Sequence, residues 1–369
     1  MEDLDIKFYN RTIGDLRSGK ELSFEDPSGI LKVMSEKVKE TLLANPSVIT
    51  DDDVCQIIAL DGNRVIGSEL SFPNKYVVGG EIKPCRGAST LFTEEAYRKY
   101  AVGTDLMINA ATISPKQDNI VGGISQMAYP LYKAMRYACF PFKRYIFLRK
   151  SRVAVEYILK RRNVLTNTIS AILDFFMGIY RLFTFCGNLL RMRNYTVEKV
   201  DRVPEEVENI VLDDGHKYKE LHDRAWFEWN LKYSFNEDDR NSKYLAVIKN
   251  KKGEIVGFFL NKIEFFAQAS SRGFKNVLLG TVSEWGIKKD EAISEYDILM
   301  TAVRHLPKTV DGAEVATTDL NTGKRFKHHL LFPMGEANMA AYIQSFKDKS
   351  IKDINNWRIR LAAGDTLLN

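Results

Sequence analysis

The sequence predicts an α+β protein with two domains, each a mixed, mostly antiparallel twisted sheet flanked by helices. The chain has 369 residues, which exceeds what one ordinary hydrophobic core holds. Strand-like and helix-like apolar patterns alternate in both halves. A strand–turn–strand–glycine unit occurs at 57–67 and again at 246–257, which suggests an internal duplication. We expect one domain at 1–155, a helical linker at 156–200 and a second domain at 201–369.

The elements of the first half follow from periodicity and from turn residues. Apolar residues recur at helical spacing within 28–44 and 102–113, and Ser114-Pro115 ends the second of these helices. The turn Asp61-Gly62-Asn63 joins two strands of a hairpin, and Pro73-Asn74 is expected to end the second strand. The expected strands are 5–9, 54–60, 64–72, 87–92, 119–124 and 144–148, with a short helix at 126–137.

The second half repeats this coarse order. Strands are expected at 244–249, 254–260, 277–282 and 313–317, with a helix at 293–306. The residues before that helix include Asp290 and Glu291, which would repel a phosphate at a helix start. We therefore expect the second domain to be a degenerate copy of the first.

The composition restricts the classes of function. Hydrophobic residues make up 45% and charged residues 27%, with a net charge of +5, which is typical of a globular protein. This charge suits an anionic cofactor or a membrane surface, and we expect no nucleic-acid partner. The four cysteines form no CxxC pair, so we expect no metal, no disulfides and a cytoplasmic location. The acidic N-terminus lacks the pattern of a signal peptide.

The apolar segment 164–190 has two interpretations. Asp174 and Arg181 interrupt it, and basic residues precede it at 160–162. It is therefore expected to be a buried or interfacial helix rather than a membrane span. Packing between domains is favoured over contact with a membrane surface, because an apolar stripe most often packs inside a protein.

The segment 93–107 indicates a phosphate-binding corner. A strand ends there, a turn of small residues follows, and a helix begins near Val102. The first N–H groups of a helix lack intrahelical partners and lie at the positive end of its dipole. Small residues at Ala101 and Gly103 would let a pyrophosphate approach these groups, and Arg98 and Lys99 add positive charge.

The pattern Arg98-x-x-Ala101-x-Gly103 resembles the coenzyme motif Gln/Arg-x-x-Gly-x-Gly/Ala of the GNAT superfamily of acyl-coenzyme A (acyl-CoA) N-acyltransferases. Ala101 replaces the first glycine of that motif, which a negative φ would permit. Glu94 stands where the family usually has proline.

A second segment, 125–137, resembles the family pattern N-x-x-A-x-x-L-Y-x-x-x-G-F. Ala128, Leu131 and Tyr132 match it, while Ser125, Arg136 and Tyr137 replace the Asn, Gly and Phe. In this family the tyrosine often protonates the departing thiolate of coenzyme A. A phenol, with a pKa near 10, can donate to a developing thiolate.

The resemblance implies direct transfer of an acyl group, with acetyl-CoA the expected donor, to an amine such as an amino sugar or an amino acid. Backbone N–H groups of 91–93 would stabilise the oxyanion, and Glu69 is the favoured base among Glu69, Glu81, Glu94 and Glu95. The residues expected to bind the coenzyme are Leu91, Phe92, Thr93, Arg98, Lys99, Tyr100, Ala101, Val102, Gly103, Thr104 and Ser125.

Two alternatives remain open at this stage. The chain could transfer a long-chain acyl or an aminoacyl group to a lipid-linked acceptor, which would need a wide apolar slot beyond the thioester. It could also be a non-catalytic CoA-binding protein, which the replacements at Ala101 and Ser125 favour. The oligomeric state does not follow from the sequence.

Overall fold

The structure is a computed structural model of the chain. It describes residues 5–113, 117–159, 164–236, 238–267, 276–328, 332–342 and 348–363.

The strands are numbered in chain order. They are β1 Ile6–Thr12, β2 Val54–Asp61, β3 Arg64–Val78, β4 Glu81–Thr93, β5 Asp118–Val121, β6 Ala138–Leu148, β7 Thr196–Val200, β8 Tyr218–Glu220, β9 Ser242–Lys249, β10 Ile255–Phe266, β11 Val277–Ile287, β12 Gly312–Thr317, β13 Phe332–Tyr342 and β14 Trp357–Arg358.

The α-helices are α1 Ile13–Arg17, α2 Glu36–Leu43, α3 Val102–Thr112, α4 Tyr129–Ala134, α5 Arg152–Leu159, α6 Val164–Arg191, α7 Glu205–Leu212, α8 Arg224–Lys232, α9 Glu295–His305 and α10 Leu320–His328. Short 3-10 helices lie at Ile30–Val33, Glu95–Tyr100, Lys349–Lys352 and Ile354–Asn356.

The chain folds into two compact units whose bounds differ from the expected domains. Unit 1 contains 1–141, 216–236 and 338–369, and unit 2 contains 142–215 and 237–337. The expected boundaries near 155 and 201 assumed that each domain is one continuous piece. Two later segments return to unit 1 instead, because their strands β8, β13 and β14 pair within it.

Unit 1 is built on a mixed sheet with the hydrogen-bonded order β1–β2–β3–β4–β5–β13. The β2–β3 pair is the predicted hairpin, and β4 and β5 run parallel while the other neighbours on this path are antiparallel. Helix α3 packs on this sheet through Val102, Leu106 and Ala110, which contact the buried residues Ile57 and Ile66. This packing fixes the start of α3 beside the end of β4.

The strands of unit 2 follow the hydrogen-bonded order β6–β12–β11–β10–β9–β7, in which β11 and β12 are parallel. The β9–β10 pair is the second predicted hairpin. Helix α9 is buried along most of its length and forms the centre of this unit's core. The predicted α+β class, with a mixed and mostly antiparallel sheet, is confirmed in each unit.

Strand β3 continues past the position where the sequence predicted its end. Pro73 pairs with Arg86 of β4, and the strand runs on to Val78. The pairing of β2 with β3 stops at Leu70, so the missing N–H of the proline breaks no ladder on that side. The predicted helix 28–44 is also interrupted, because Met34 and Ser35 separate a 3-10 helix from α2.

Helix α6 contradicts the expectation of a buried or bridging helix. It is continuous for 28 residues, and it is long and apolar enough to cross a membrane, yet only 11% of its most apolar stretch is buried. Its buried residues are polar: Thr166, Ser170, Thr184 and Asn188. The preceding basic residues at 160–162 lie outside the described residues.

The start of α9 in unit 2 is closed to an anion. Ser294 caps the helix by accepting a hydrogen bond from Asp297 N at 3.2 Å, and Glu295 and Asp297 lie in its first turn. The sequence placed the acidic repulsion at Asp290 and Glu291, which precede the helix.

Candidate active site

A cavity opens where the parallel strands β4 and β5 diverge. The two strands pair only at Cys85–Asp118 and Arg86–Asn119. Beyond these pairs they separate and enclose about 230 Å³. The cavity is lined by Glu69, Ala88, Ser89, Thr90, Leu91, Val121, Gly122, Gly123, Ile124, Ser125, Ala128 and Tyr132. The structure therefore brings together both residues expected to be catalytic and two of those expected to bind the coenzyme.

A β-bulge shapes one wall of this cavity. Ser68 pairs with Phe92 and Leu70 pairs with Ser89, so Thr90 and Leu91 together face Glu69. Thr90 has a φ of 47°, in the left-handed region that non-glycine residues seldom adopt. A bulge interrupts the ladder of hydrogen bonds and redirects backbone groups. The main chain at Thr90 and Leu91 therefore leaves the regular β3–β4 ladder where both residues line the cavity.

Glu69 is the most perturbed carboxyl group at the site. Its side chain lies at the cavity but is only 2% exposed. Burial disfavours the charged form and raises the pKa of Glu69 to about 8. Its Oε2 atom has no hydrogen-bond partner among the described residues. A carboxyl group of this kind accepts a proton from an amine more readily than an exposed one does.

The other three glutamates considered as bases are placed differently. Glu81 is exposed and lies 3.4 Å from the Lys83 ammonium, Glu94 forms an ion pair with Arg64, and Glu95 is exposed at the start of a 3-10 helix. None of the three lines the cavity.

Tyr132 also lines the cavity. It lies on α4, is 6% exposed, and packs edge-to-face on Tyr137 with ring centroids 4.9 Å apart. This packing restricts the rotation of the phenol. Ser125 lies one turn before α4, where its Oγ accepts a hydrogen bond from Ala128 N at 3.2 Å. Arg136, which replaces a family glycine, has a φ of 66°, a conformation that glycine adopts without strain.

The second glycine replacement, Ala101, also adopts a left-handed conformation. Its φ is 61°, so the negative φ that would have suited alanine is absent. Ala101 O accepts hydrogen bonds from Thr104 N at 2.8 Å and Asp105 N at 3.1 Å. The N–H groups of Val102 and Gly103 are the ones left at the helix start for an anion. A Cβ at Gly103 would lie 3.2 Å from Thr93 Oγ1, so a larger residue would narrow this corner.

The remaining residues of the expected coenzyme motif form the rim of the corner. Arg98, Lys99 and Tyr100 lie on the 3-10 helix that leads into α3. Arg98 is exposed and its Nε donates to Thr93 O at 3.4 Å, while the Lys99 ammonium lies 4.8 Å from the ring centroid of Tyr100. Asp105, the acidic residue of the first turn of α3, opposes a bound phosphate.

The structure adds Arg86, which the sequence analysis did not single out. Arg86 lies two residues before Ala88 on β4, so both side chains point to the same face of the strand. It is 1% exposed, none of its guanidinium nitrogens has a hydrogen-bond partner among the described residues, and burial lowers its pKa. A lone arginine in the pattern of a strand carries no signal by which sequence reasoning could have identified it.

A second cavity of about 320 Å³ lies on the other side of the bulge. It shares Thr90 and Leu91 with the first cavity, and its lining is Ser28, Gly29, Ile30, Val33, Ser68, Thr90, Leu91 and Phe92. Ser68 and Glu69 are consecutive on β3 and therefore face the two cavities from opposite sides of the strand. Phe92 and Thr93, both expected to bind the coenzyme, thus differ in position: Phe92 lines the second cavity and Thr93 lies at the corner before α3.

Comparison with known proteins gives matches of structure only. No family model matches the chain, and no curated protein matches it in sequence. Saccharomyces cerevisiae N-myristoyltransferase with bound myristoyl-CoA is similar over 92% of this chain and 85% of that chain, at 11% identity and a TM-score of 0.53. A second structure of that enzyme with myristoyl-CoA covers 97% of this chain and 85% of its own, at 11% identity and a TM-score of 0.55. The resemblance to a GNAT-type fold is confirmed, and at this identity the likeness concerns the fold alone.

Proposed function

We propose that the chain is an acyl-CoA-dependent N-acyltransferase that moves an acyl group directly from the thioester to an amine. The observation that carries this proposal is the convergence of Glu69, Tyr132 and the β4 bulge on one cavity. A buried carboxyl group, a phenol and redirected main-chain groups are the base, the acid and the oxyanion donors that aminolysis of a thioester requires. The GNAT-type fold, which N-acyltransferases share, supports the same conclusion.

In the first step Glu69 accepts a proton from the ammonium form of the acceptor. The pKa of Glu69, raised to about 8 by burial, lies closer to that of an alkylamine than the pKa of an exposed glutamate does. Proton transfer to Glu69 is therefore less unfavourable than transfer to an exposed glutamate, which favours general base catalysis. The neutral amine attacks the thioester carbon, and the carbonyl π electrons move to oxygen.

In the second step the tetrahedral intermediate collapses. Main-chain N–H groups at the bulge around Leu91 stabilise its oxyanion. The C–S bond breaks, and Tyr132 donates its proton to the departing thiolate of coenzyme A. The nitrogen carries an extra proton after its attack and loses it to the phenolate of Tyr132, which restores the phenol. The proton on Glu69 returns to solvent, and the products are an amide and free coenzyme A.

The start of α3 would hold the pyrophosphate of the substrate acyl-CoA. The N–H groups of Val102 and Gly103 supply hydrogen bonds at the positive end of the helix dipole, and Arg98 supplies a mobile positive charge at the rim. Asp105 weakens this site, and we expect a moderate rather than a tight affinity for coenzyme A.

We propose acetyl-CoA as the donor and an amino sugar or amino acid as the acceptor. Two measurements test the function as a whole. Calorimetry with acetyl-CoA and with palmitoyl-CoA measures binding, and release of free thiol from each donor with a panel of amines measures turnover. Binding without thiol release would indicate a non-catalytic CoA-binding protein. Absence of binding to either donor would refute both the acyltransferase and the CoA-binding protein.

Transfer of a long acyl chain is the second candidate, and the second cavity favours it. That cavity begins at Leu91, where the thioester would lie, and Ile30, Val33 and Phe92 give it apolar walls. Filling it with Val33→Phe should reduce turnover with palmitoyl-CoA and leave turnover with acetyl-CoA unchanged. Leu31→Phe, which changes a neighbouring residue that does not line the cavity, is the matched control.

A further inference from the structure

Helix α6 exposes its apolar side and packs its polar side against the protein. The residues of its inward stripe follow helical spacing, and six of them are polar: Thr166, Ser170, Asp174, Arg181, Thr184 and Asn188. On the outward side six large apolar residues are between 46% and 70% exposed: Ile172, Phe175, Phe176, Ile179, Leu182 and Phe183. A helix on a water-soluble surface has the opposite arrangement.

The charges of this helix are directed inward as well. Asp174 Oδ1 accepts a hydrogen bond from Ser151 N at 2.6 Å, and Arg181 Nη1 donates to Arg149 O at 2.6 Å. Between 171 and 190 no charged side chain is exposed. At 1.5 Å per residue this uncharged surface is about 30 Å long.

The inward contacts attach the helix to unit 2 along its length. Near one end Ser151 Oγ donates to Ser170 O at 2.9 Å, and near the other Asn188 Nδ2 donates to Asp297 O at 3.0 Å. Arg191 Nε lies 2.6 Å from Asp297 Oδ1. A helix that crossed a bilayer would have to break these contacts or carry them into hydrocarbon, where unpaired polar groups are costly.

We propose that the outward face of α6 lies in the surface of a lipid bilayer, parallel to the membrane plane, as a monotopic anchor. At 100° per residue the six apolar side chains span about one third of the helix circumference. Leu173 and Leu189, which are 41% and 50% exposed at the two edges, widen this face to roughly half of the circumference. Acyl chains cover a face of this width more readily than the narrow stripe of one partner helix does. Arg193 is exposed just beyond the end of the helix, and the side chain of Arg191, which also pairs with Asp297, is 43% exposed. These cations favour a surface with anionic headgroups. This proposal does not depend on the catalytic one.

Flotation with vesicles tests the proposal directly. The full chain is mixed with phosphatidylcholine vesicles that contain about one quarter phosphatidylglycerol. We expect the protein to float with the vesicles, and to float less without the anionic lipid. The double variant Phe176→Glu with Phe183→Glu should lower the partition coefficient by about a hundredfold, at about tenfold for each buried phenyl group. Leu320→Glu, which changes an equally exposed leucine on α10, should float like the unchanged protein.

The depth of α6 in the bilayer distinguishes a helix that lies in the membrane surface from a helix that spans it. A Phe176→Trp probe should be quenched by brominated lipids near the headgroups and less by lipids brominated near the chain ends. Quenching strongest at the bilayer centre would indicate a spanning helix and overturn the proposal. Failure of the protein to float with the vesicles would also overturn the proposal. This holds even if light scattering shows a dimer that the double variant abolishes, because the apolar face of α6 would then cover a second copy of the chain.

Discussion

The substitution Glu69→Gln should stabilise the protein and inactivate it. An acid whose pKa is raised in the folded state holds its proton more tightly there than in the unfolded chain. Its contribution to stability is therefore fully present below about pH 4.5 and is lost as the pH rises to about 8. One pKa unit corresponds to about 1.4 kcal/mol, so at pH 7 the unchanged protein bears a penalty of about 3 kcal/mol that glutamine removes.

The pH dependence of this difference is the sharper measurement. The penalty grows by about 4 kcal/mol between pH 5 and pH 9, because the unfolded carboxylate is already ionised at pH 5 and the buried one ionises only near pH 8. Urea unfolding can be followed by tryptophan fluorescence, since Trp226, Trp229 and Trp357 are buried in unit 1 with Glu69. Other groups titrate equally in both proteins and cancel in the difference.

Two results would refute the reasoning about Glu69. A stability difference that stays constant from pH 5 to pH 9 would show that the carboxyl group is not perturbed by burial. Turnover of Glu69→Gln within a fewfold of the unchanged protein would remove it as the base, because loss of a general base lowers the rate by about 10²–10⁴-fold. We also expect kcat/KM of the unchanged protein to rise with pH up to about 8. Glu95→Gln, at an exposed carboxyl group, is the control for both experiments.

Three further predictions concern the acid, the pyrophosphate and the strained corner. Tyr132→Phe should lower kcat and leave the affinity for coenzyme A nearly unchanged, whereas Tyr129→Phe on the same helix should change neither; equal turnover of the two variants would exclude the phenol. Arg98→Ala should weaken coenzyme binding about tenfold and reduce its salt dependence, and unchanged binding at low salt would contradict the pyrophosphate assignment. Ala101→Gly should raise the free energy of unfolding by about 0.5–1 kcal/mol because it relieves a left-handed alanine. Ala96→Gly in the preceding 3-10 helix should lower the free energy of unfolding by a similar amount, and the same sign for both glycine variants would refute the strain at Ala101.

The local elements of the candidate site could be read from the sequence. Helix α3 begins at Val102 and the β2–β3 hairpin lies where periodicity and turn residues placed them, because both signals act over a few residues. The two glycine replacements are also informative in retrospect. Ala101 and Arg136 occupy left-handed positions, which gives a conformational reason for the glycines of the family pattern.

The elements whose bounds the sequence predicted wrongly are fixed by contacts with distant parts of the chain. Pro73 stays within β3 because the pairing of β3 with β2 stops at Leu70, while the pairing with β4 continues past Pro73. The segments 216–236 and 338–369 join unit 1 through pairing with strands that lie more than a hundred residues earlier. Local propensity contains no information on such pairing.

The sequence by itself determined that the chain alternates helices and strands, that it carries two hairpins of similar pattern, and that a helix starts next to Arg98 with small residues at its N-terminus. These features follow from the period of the apolar pattern and from turn chemistry. Only the tertiary structure decided that Glu69 is buried and lines one cavity with Tyr132, that Arg86 is enclosed, and that α6 turns its polar side inward. Burial and orientation set the free energy of a charge or an apolar side chain, and they arise from packing between residues that are far apart in the chain.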